Sequence, residues 1–391
     1  MIISAANRLN IVKEYYFSVK LKEISKLRSE GRNILSLGIG SPDLAPSSKT
    51  IEALVKTAQQ KTTHGYQGYV GRPELRNAMS EWYANIYGVE LDANNEILPL
   101  MGSKEGIMHI SMAFLNAQDG VLVPNPGYPT YSSVSNLLSA KIHSYELDET
   151  QDWQPNWEQL ERLDFSNIKI MWINYPNMPT GANASDELFE RLIFLAKKHQ
   201  FLLVNDNPYS LILNDTPRSI FQYKGAKSVA LELNSLSKSH NMAGWRVGML
   251  AGHKDYLKTV LKVKSNMDSG MFAGIQMAAV EALKNTKAWH AEQNAIYRKR
   301  REIAFQIMDA LDCTYSTKQV GMFVLAKVPE SVQDVAVWMD KLLYEAEIFI
   351  TPAFIFGTKG ERYIRLSLCS KQEVLKEALQ RIKVFVGEKV S

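Results

Sequence analysis

Lys238 has more chemistry around it than any other residue in the chain. It lies in the run Asn234-Ser235-Leu236-Ser237-Lys238-Ser239-His240-Asn241-Met242-Ala243-Gly244-Trp245-Arg246-Val247-Gly248. Two hydroxyls just before the lysine and a guanidinium eight residues after it could bind a phosphate, since Arg presents a planar fork of donors to its oxygens. An amine held beside them could form a Schiff base with an aldehyde. The competing reading is a solvated lysine in a polar loop, where most lysines are found. Gly102-Ser103-Lys104-Glu105 follows an apolar run and opens a helical pattern through Ile107, Ile110 and Phe114. The free N–H groups and positive dipole end of such a helix attract an anion; Ser103 as a plain N-cap is the alternative. Asp206 ends another apolar run, three residues before Tyr209. A carboxylate at the end of a buried strand is costly unless a cation or a proton-bearing nitrogen meets it. A loop Asp capping the turn at Pro208 is the alternative.

These residues need a scaffold, and the rhythm of the chain supplies one. Short apolar runs at 97–101, 121–124, 141–145, 168–173, 201–205, 228–233 and 247–251 read as strands, rich in Val, Ile and Leu without strict alternation, as in sheets covered on both faces. Between them, 185–199 has the marks of a crossover helix: Asp186 and Glu187 in its first turn, Leu188, Leu192, Leu195 and Ala196 at helical spacing, and Lys197, Lys198 and His199 at its end. Strand–helix alternation is an α/β plan, and ligands of such sheets gather at the carboxyl ends of strands. From about residue 286 the rhythm changes to a long helix at 288–311, strands near 323–328, 348–351 and 363–368, and a closing helix from 371. This predicts a smaller α+β domain, which the segment before residue 40 is expected to join.

Composition narrows the partners. With 45 basic and 41 acidic side chains in 391 residues, the net charge of +4 gives no reason to expect nucleic acid or an anionic membrane. Two cysteines make neither a disulfide framework nor a four-thiolate zinc site, and the seven histidines show no ligand spacing, so no metal is expected. No apolar run is long enough for a membrane span, and a cytoplasmic protein acting on small ligands is the expectation.

Eight motifs, in order, resemble the class I/II aminotransferases, the fold type I enzymes that use pyridoxal 5'-phosphate: LGIGSPD at 37–43, GYQGYVGRPELR at 65–76, GSKEGI at 102–107, PNPGYPTY at 124–131, NYPNMPTG at 174–181, NDNPY at 205–209, SLSKSHNMAGWRVG at 235–248 and YIRLSL at 363–368. The resemblance implies a three-layer α/β large domain with a mainly parallel sheet at 41–285, and a small domain made of 286–391 with the segment 1–40. It implies that Lys238 holds the cofactor as a Schiff base and moves the substrate's α-proton, that Asp206 pairs with the pyridine nitrogen, that Tyr209 donates to the ring's 3'-oxygen and that Tyr128 stacks on the ring. The phosphate would rest on the Ser103 and Lys104 amides, the Ser235 and Ser237 hydroxyls and Arg246. Tyr66 would reach the phosphate of a neighbouring subunit, which implies a homodimer with shared sites. Arg365 would grip the substrate α-carboxylate with the Gly40 backbone as second contact, its alternative being an ordinary exposed strand arginine. The family usually has Asn before Pro-Thr-Gly, reaching the 3'-oxygen; here it is Met178, and Asn174, at a strand end, is the expected substitute ahead of Asn177.

The expected reaction is ping-pong transfer of an amino group from an L-amino acid to a 2-oxo acid. A lyase of the C–S β-elimination or cyclopropane-forming type is the alternative, because the same carbanion starts all three. A non-catalytic binding protein is disfavoured by the intact Lys238. GSKEGI and PNPGYPTY lean toward the branch that contains diaminopimelate and alanine aminotransferases. Tyr15, Tyr16 and Phe17 could line a pocket for apolar side chains, or could be core, and no arginine stands out as a reader of a distal carboxylate.

Overall fold

The computed structural model describes residues 3–11, 14 and 16–387; Tyr15 lies outside them. An eight-stranded sheet runs through the larger part of the molecule in the order Ile97–Leu100, Gly248–Gly252, Ala230–Ser235, Leu202–Asp206, Ile168–Ile173, Gly120–Asn125, Lys141–Asp148, Gln154–Pro155. The strands from Ala230–Ser235 to Lys141–Asp148 pair parallel. Gly248–Gly252 is antiparallel to both neighbours, and Gln154–Pro155 is antiparallel to Lys141–Asp148. All seven strands expected between 97 and 251 are present. The two-residue Gln154–Pro155 was not expected, being too short to show any periodicity.

Both faces of the sheet are covered. Ile170 and Trp172 pack with the helices Ser103–Phe114, Pro129–Leu137 and Lys254–Lys264, while Met171 and Ile173 pack with Pro73–Tyr87, Asp186–His199 and Ala273–Leu283. Burial on two sides accounts for the continuous apolar runs. The crossover helix Asp186–His199 has the ends its sequence implies, with the Ser185 side chain accepting from the Leu188 N–H at 3.1 Å and a basic last turn.

A second group of elements has its own core. Phe323–Lys327, Tyr363–Ser367 and Thr351–Pro352 form an antiparallel sheet, and Leu35–Ser36 pairs parallel with Ile348–Phe349. The single strand expected at 348–351 is therefore two, because the chain changes partner at Ile350. Ile24, Leu27 and Leu37 share a cluster with Ile307 from the helix Lys287–Ala310, Ile364, and Leu375 from the helix Gln372–Phe385.

The segment at 37–43 is fastened by an ion pair that its sequence did not announce. Arg300, on the long helix and 3% exposed, grips both oxygens of Asp43, at 2.6 and 2.8 Å, and donates to the Leu368 carbonyl at 3.0 Å. Removing the carboxylate would leave a buried cation without its counter-charge. Asp43→Ala is therefore expected to destabilise the protein by about 3 kcal/mol, and Glu158→Ala, which breaks an exposed pair with Arg162, by about 0.5 kcal/mol or less. Thermal melts of the two variants check this; equal melting points would show that the Asp43–Arg300 pair carries no special weight.

Candidate active site

The carboxyl ends of the central strands, the start of the helix Ser103–Phe114, the 38–40 segment and the strand Tyr363–Ser367 enclose a cleft of about 320 Å³. Ser103, Lys104, Tyr128, Asn174, Asp206, Tyr209, Ser235, Ser237, Lys238, Arg246, Gly40 and Arg365 all line it. Asn177 does not: its Oδ1 accepts from the N–H and hydroxyl of Thr180 within the turn. Tyr66 does not either, and its side chain is 95% exposed on an outer loop.

One end of the cleft is built for an anion. Gly102, not Ser103, occupies the N-cap position and makes no side-chain cap, so the plain-cap reading of Ser103 does not hold. Gly102 has φ +88, and a Cβ there would run into the Arg246 guanidinium, which lies across the helix start. Arg246 donates to the Ser237 hydroxyl at 3.3 Å and to the Ala243 carbonyl at 2.9 Å. Ser235 caps the short helix Leu236–Ser239 by accepting from the Ser237 N–H at 3.1 Å. The first turn of the helix, two hydroxyls and a guanidinium thus line one end of the cleft.

Two buried carboxylates lie on adjacent strands, Asp206 in the cleft and Glu232 outside its lining, and their bonding tells them apart. Glu232, 0% exposed, accepts from Tyr83, Asn205, Ser219 and the Ile220 N–H at 2.8–3.1 Å and is satisfied where it is. Asp206, 4% exposed, accepts only from Tyr131, at 2.9 Å through Oδ2, and its Oδ1 has no donor. Such an oxygen lining a cleft marks where a proton-bearing group belongs. Burial pushes Asp206 up to about 6, with the Tyr131 hydrogen bond pulling the other way. Tyr131 is itself stacked on Trp172, ring centroids 5.0 Å apart. It sits in the PNPGYPTY motif, yet nothing in the sequence tied it to Asp206.

Lys238 and Arg365 stand at the other end. Lys238 Nζ donates to the Gly40 carbonyl at 2.5 Å, and Arg365 donates to the Gly38 carbonyl at 2.8 Å. Lys238 is not a solvated loop lysine: burial lowers its pKa, the Arg365 and Arg246 charges add to that, and Cys369 opposes it. Arg365 is 4% exposed, which removes the exposed-arginine alternative. Its guanidinium lies 4.0 Å from the Phe323 ring centre and 4.7 Å from that of Phe356. Burial raises the Tyr209 phenol well above its ordinary value, so it stays protonated as a donor. Asn174 donates to the Asp206 carbonyl at 2.5 Å and accepts from the Met178 N–H at 2.8 Å. Elsewhere, Glu105, His109 and Asp268 bring ligand atoms within 4.8 Å of one another, which the spacing of the histidines did not suggest. Lys264 already neutralises Asp268 there, at 2.6 Å.

Residues 32–382 match the family described as aminotransferase class I and II. The chain belongs to that family. The aminotransferase is 38% identical over 384 residues to the LL-diaminopimelate aminotransferase of Maridesulfovibrio salexigens, covering 96% of this chain and 98% of the relative. Among solved structures, apo-BacF from Bacillus subtilis matches with a TM-score of 0.93 at 31% identity, covering 98% of both chains. An aromatic aminotransferase from Pyrococcus horikoshii matches at 0.85 with 26% identity, covering 93% of this chain and 98% of the other. The fold is that of the fold type I aminotransferases, as the motifs implied, and the relatives support amino-group transfer, with nothing in favour of the lyase alternative.

The half-met Asp206 makes the unliganded protein sensitive to pH. Its folded pKa of about 6 lies above the ordinary 3.8, so the unfolded chain releases the proton first and rising pH removes stability between about 4 and 6. Above that window the cost is on the order of 3 kcal/mol. Cofactor-free Asp206→Asn should therefore melt a few degrees higher than the cofactor-free parent at pH 8, with the gap closing by pH 4. Identical melting curves at pH 8 would mean the buried charge costs nothing.

Proposed function

We propose that this aminotransferase works with pyridoxal 5'-phosphate, as a cytoplasmic homodimer with shared active sites, and moves an amino group from an L-amino acid to a 2-oxo acid in two half-reactions. The observation that carries the reading is the donorless oxygen of Asp206 in a cleft that also holds an anion cradle and a lysine amine of lowered pKa. Those features fit, in turn, a protonated pyridine nitrogen, a phosphate and an aldehyde. When bound, the cofactor supplies an electron sink for the carbanion left at the substrate α-carbon.

The protein's own work is then divided among named atoms. Ser103 and Lys104 amides, Ser235, Ser237 and Arg246 hold the phosphate. Asp206 Oδ1 keeps the ring nitrogen protonated, and Tyr131 orients that carboxylate. Tyr128 covers the ring face, and Tyr209 donates to the 3'-oxygen. Asn174 uses one Nδ2 hydrogen on the Asp206 carbonyl and has a second for the same 3'-oxygen, which Met178 cannot serve. Lys238 Nζ would take the proton from the substrate α-carbon and deliver it to the cofactor's C4' carbon, work for which a depressed pKa suits it. Arg365 and the Gly40 backbone hold the α-carboxylate. Tyr66, exposed in the protomer, belongs in this reading to the phosphate site of a second copy. A cofactor domain at 41–285 and a closing domain of 1–40 with 286–391 is the division it uses. The free, buried Cys313 and Cys369 suit a reducing compartment.

Purified protein should carry a visible absorption band that an amino donor bleaches and a 2-oxo acid restores; bleaching that no 2-oxo acid reverses would refute transfer. Lys238→Ala should lower turnover by roughly a thousandfold, and unchanged turnover would remove the lysine from the mechanism. Sedimentation should give a dimer, whereas an active monomer with full cofactor content would take Tyr66 out of the site.

A further inference from the structure

Around Arg365 the cleft changes character. Phe17, Phe323 and Phe356 surround the guanidinium, Met178 touches it, and Leu21 and Ile39 line the same cleft. Phe17 and Leu21 are four residues apart on the helix Tyr16–Ser29 and therefore share a face. Leu21 is 44% exposed although it is a lining residue, an apolar surface left open at the site. Arg365 Nη1 lies 3.2 Å from the sulfur of Met178, the residue that stands in place of the family's usual asparagine. The other charged lining residues lie in other parts of the cleft or are bonded there: Arg246 lies over Gly102, Lys104 is in the first turn of the same helix, Asp206 is bound by Tyr131 and Lys238 is on Gly40. After one α-carboxylate has taken Arg365, the described residues around it in this protomer offer no further charge to a second ionic group. Residues 65–71, which carry Tyr66 and Tyr69, are uncharged, and the adjoining Arg72 is paired with Glu74 at 2.9 Å, so a second copy bringing that loop across would add mainly aromatic surface.

We infer that the amino donor of this enzyme has an uncharged, apolar side chain, aliphatic or aromatic, and is not a diamino-dicarboxylic acid of the kind named for its relatives. The inference rests on the pyridoxal-phosphate aminotransferase reading above. Diaminopimelate would bring a distal ammonium and carboxylate against phenylalanine, leucine, isoleucine and methionine, and ionic groups desolvated without partners are strongly disfavoured. An apolar side chain meets no such penalty and covers the open face of Leu21.

The test uses the holoenzyme and follows bleaching of the cofactor band by phenylalanine, leucine, methionine, LL-diaminopimelate, aspartate and glutamate, with alanine as a donor too small to report on the far wall. Second-order rate constants for the best apolar donor should exceed those for diaminopimelate and the dicarboxylic donors by about 100-fold; a ratio below about tenfold overturns the inference. If alanine bleaches the band while diaminopimelate is the fastest donor, the substrate class is wrong and transfer stands. If no amino acid bleaches it, both fall. Leu21→Arg, a change on an exposed helix position, should narrow the ratio by about tenfold by offering a distal carboxylate a partner. An unchanged ratio would show that Leu21 does not face the donor's side chain and would count against the proposed wall.

Discussion

Burying a carboxylate with one oxygen unmet works against folding, and Asp206 does this at the end of a central strand. The neighbouring strand holds Glu232 with a donor for each demand, so the fold is able to satisfy a buried acid when only structure is at stake. At Asp206 it supplies Tyr131 alone. The surrounding sheet must be rigid enough to impose that cost, and its apolar packing on both faces provides the rigidity. What would be a defect in a structural acid is, at the edge of a cleft, a standing demand for a proton-bearing group.

The path of the chain beside Asp206 serves the same end. A parallel crossover from Ala230–Ser235 would need a full helix. Instead residues 236–247 make a four-residue helix and a tight turn, then re-enter the sheet antiparallel as Gly248–Gly252. That short return keeps Lys238, Ser237 and Arg246 together at the strand ends. A long crossover helix would have carried the chain to a face of the sheet. The one reversed strand inside an otherwise parallel block is thus the one that builds the site.

Much of this could be read from the residues, and the gaps have a common cause. The strands at 97–251 and the helix at 185–199 announce themselves because burial and capping are local in sequence. Ser235, Ser237, Lys238 and Arg246 are legible for the same reason, lying within one short run. Contacts that join distant segments leave no local trace: Asp43 with Arg300, Tyr131 with Asp206, Met178 against Arg365. The alternative that makes Ser103 the cap could not be dismissed in sequence, because the reason for a glycine there, the Arg246 guanidinium, is supplied more than a hundred residues later. The strand-end position favours Asn174 over Asn177 in sequence, and in the structure the turn occupies the Asn177 side chain.

The carbonyls of Gly38 and Gly40 hold Arg365 and Lys238 respectively, and the same short stretch continues to Asp43, which is anchored to Arg300. The guanidinium, on the strand Tyr363–Ser367, and the amine, on the short helix Leu236–Ser239, are therefore moored to one piece of backbone. A ligand that draws Arg365 off Gly38 would also shift the carbonyl that holds Lys238 two residues away. The segment thus couples the positions of the two cations, whichever of them a ligand engages first.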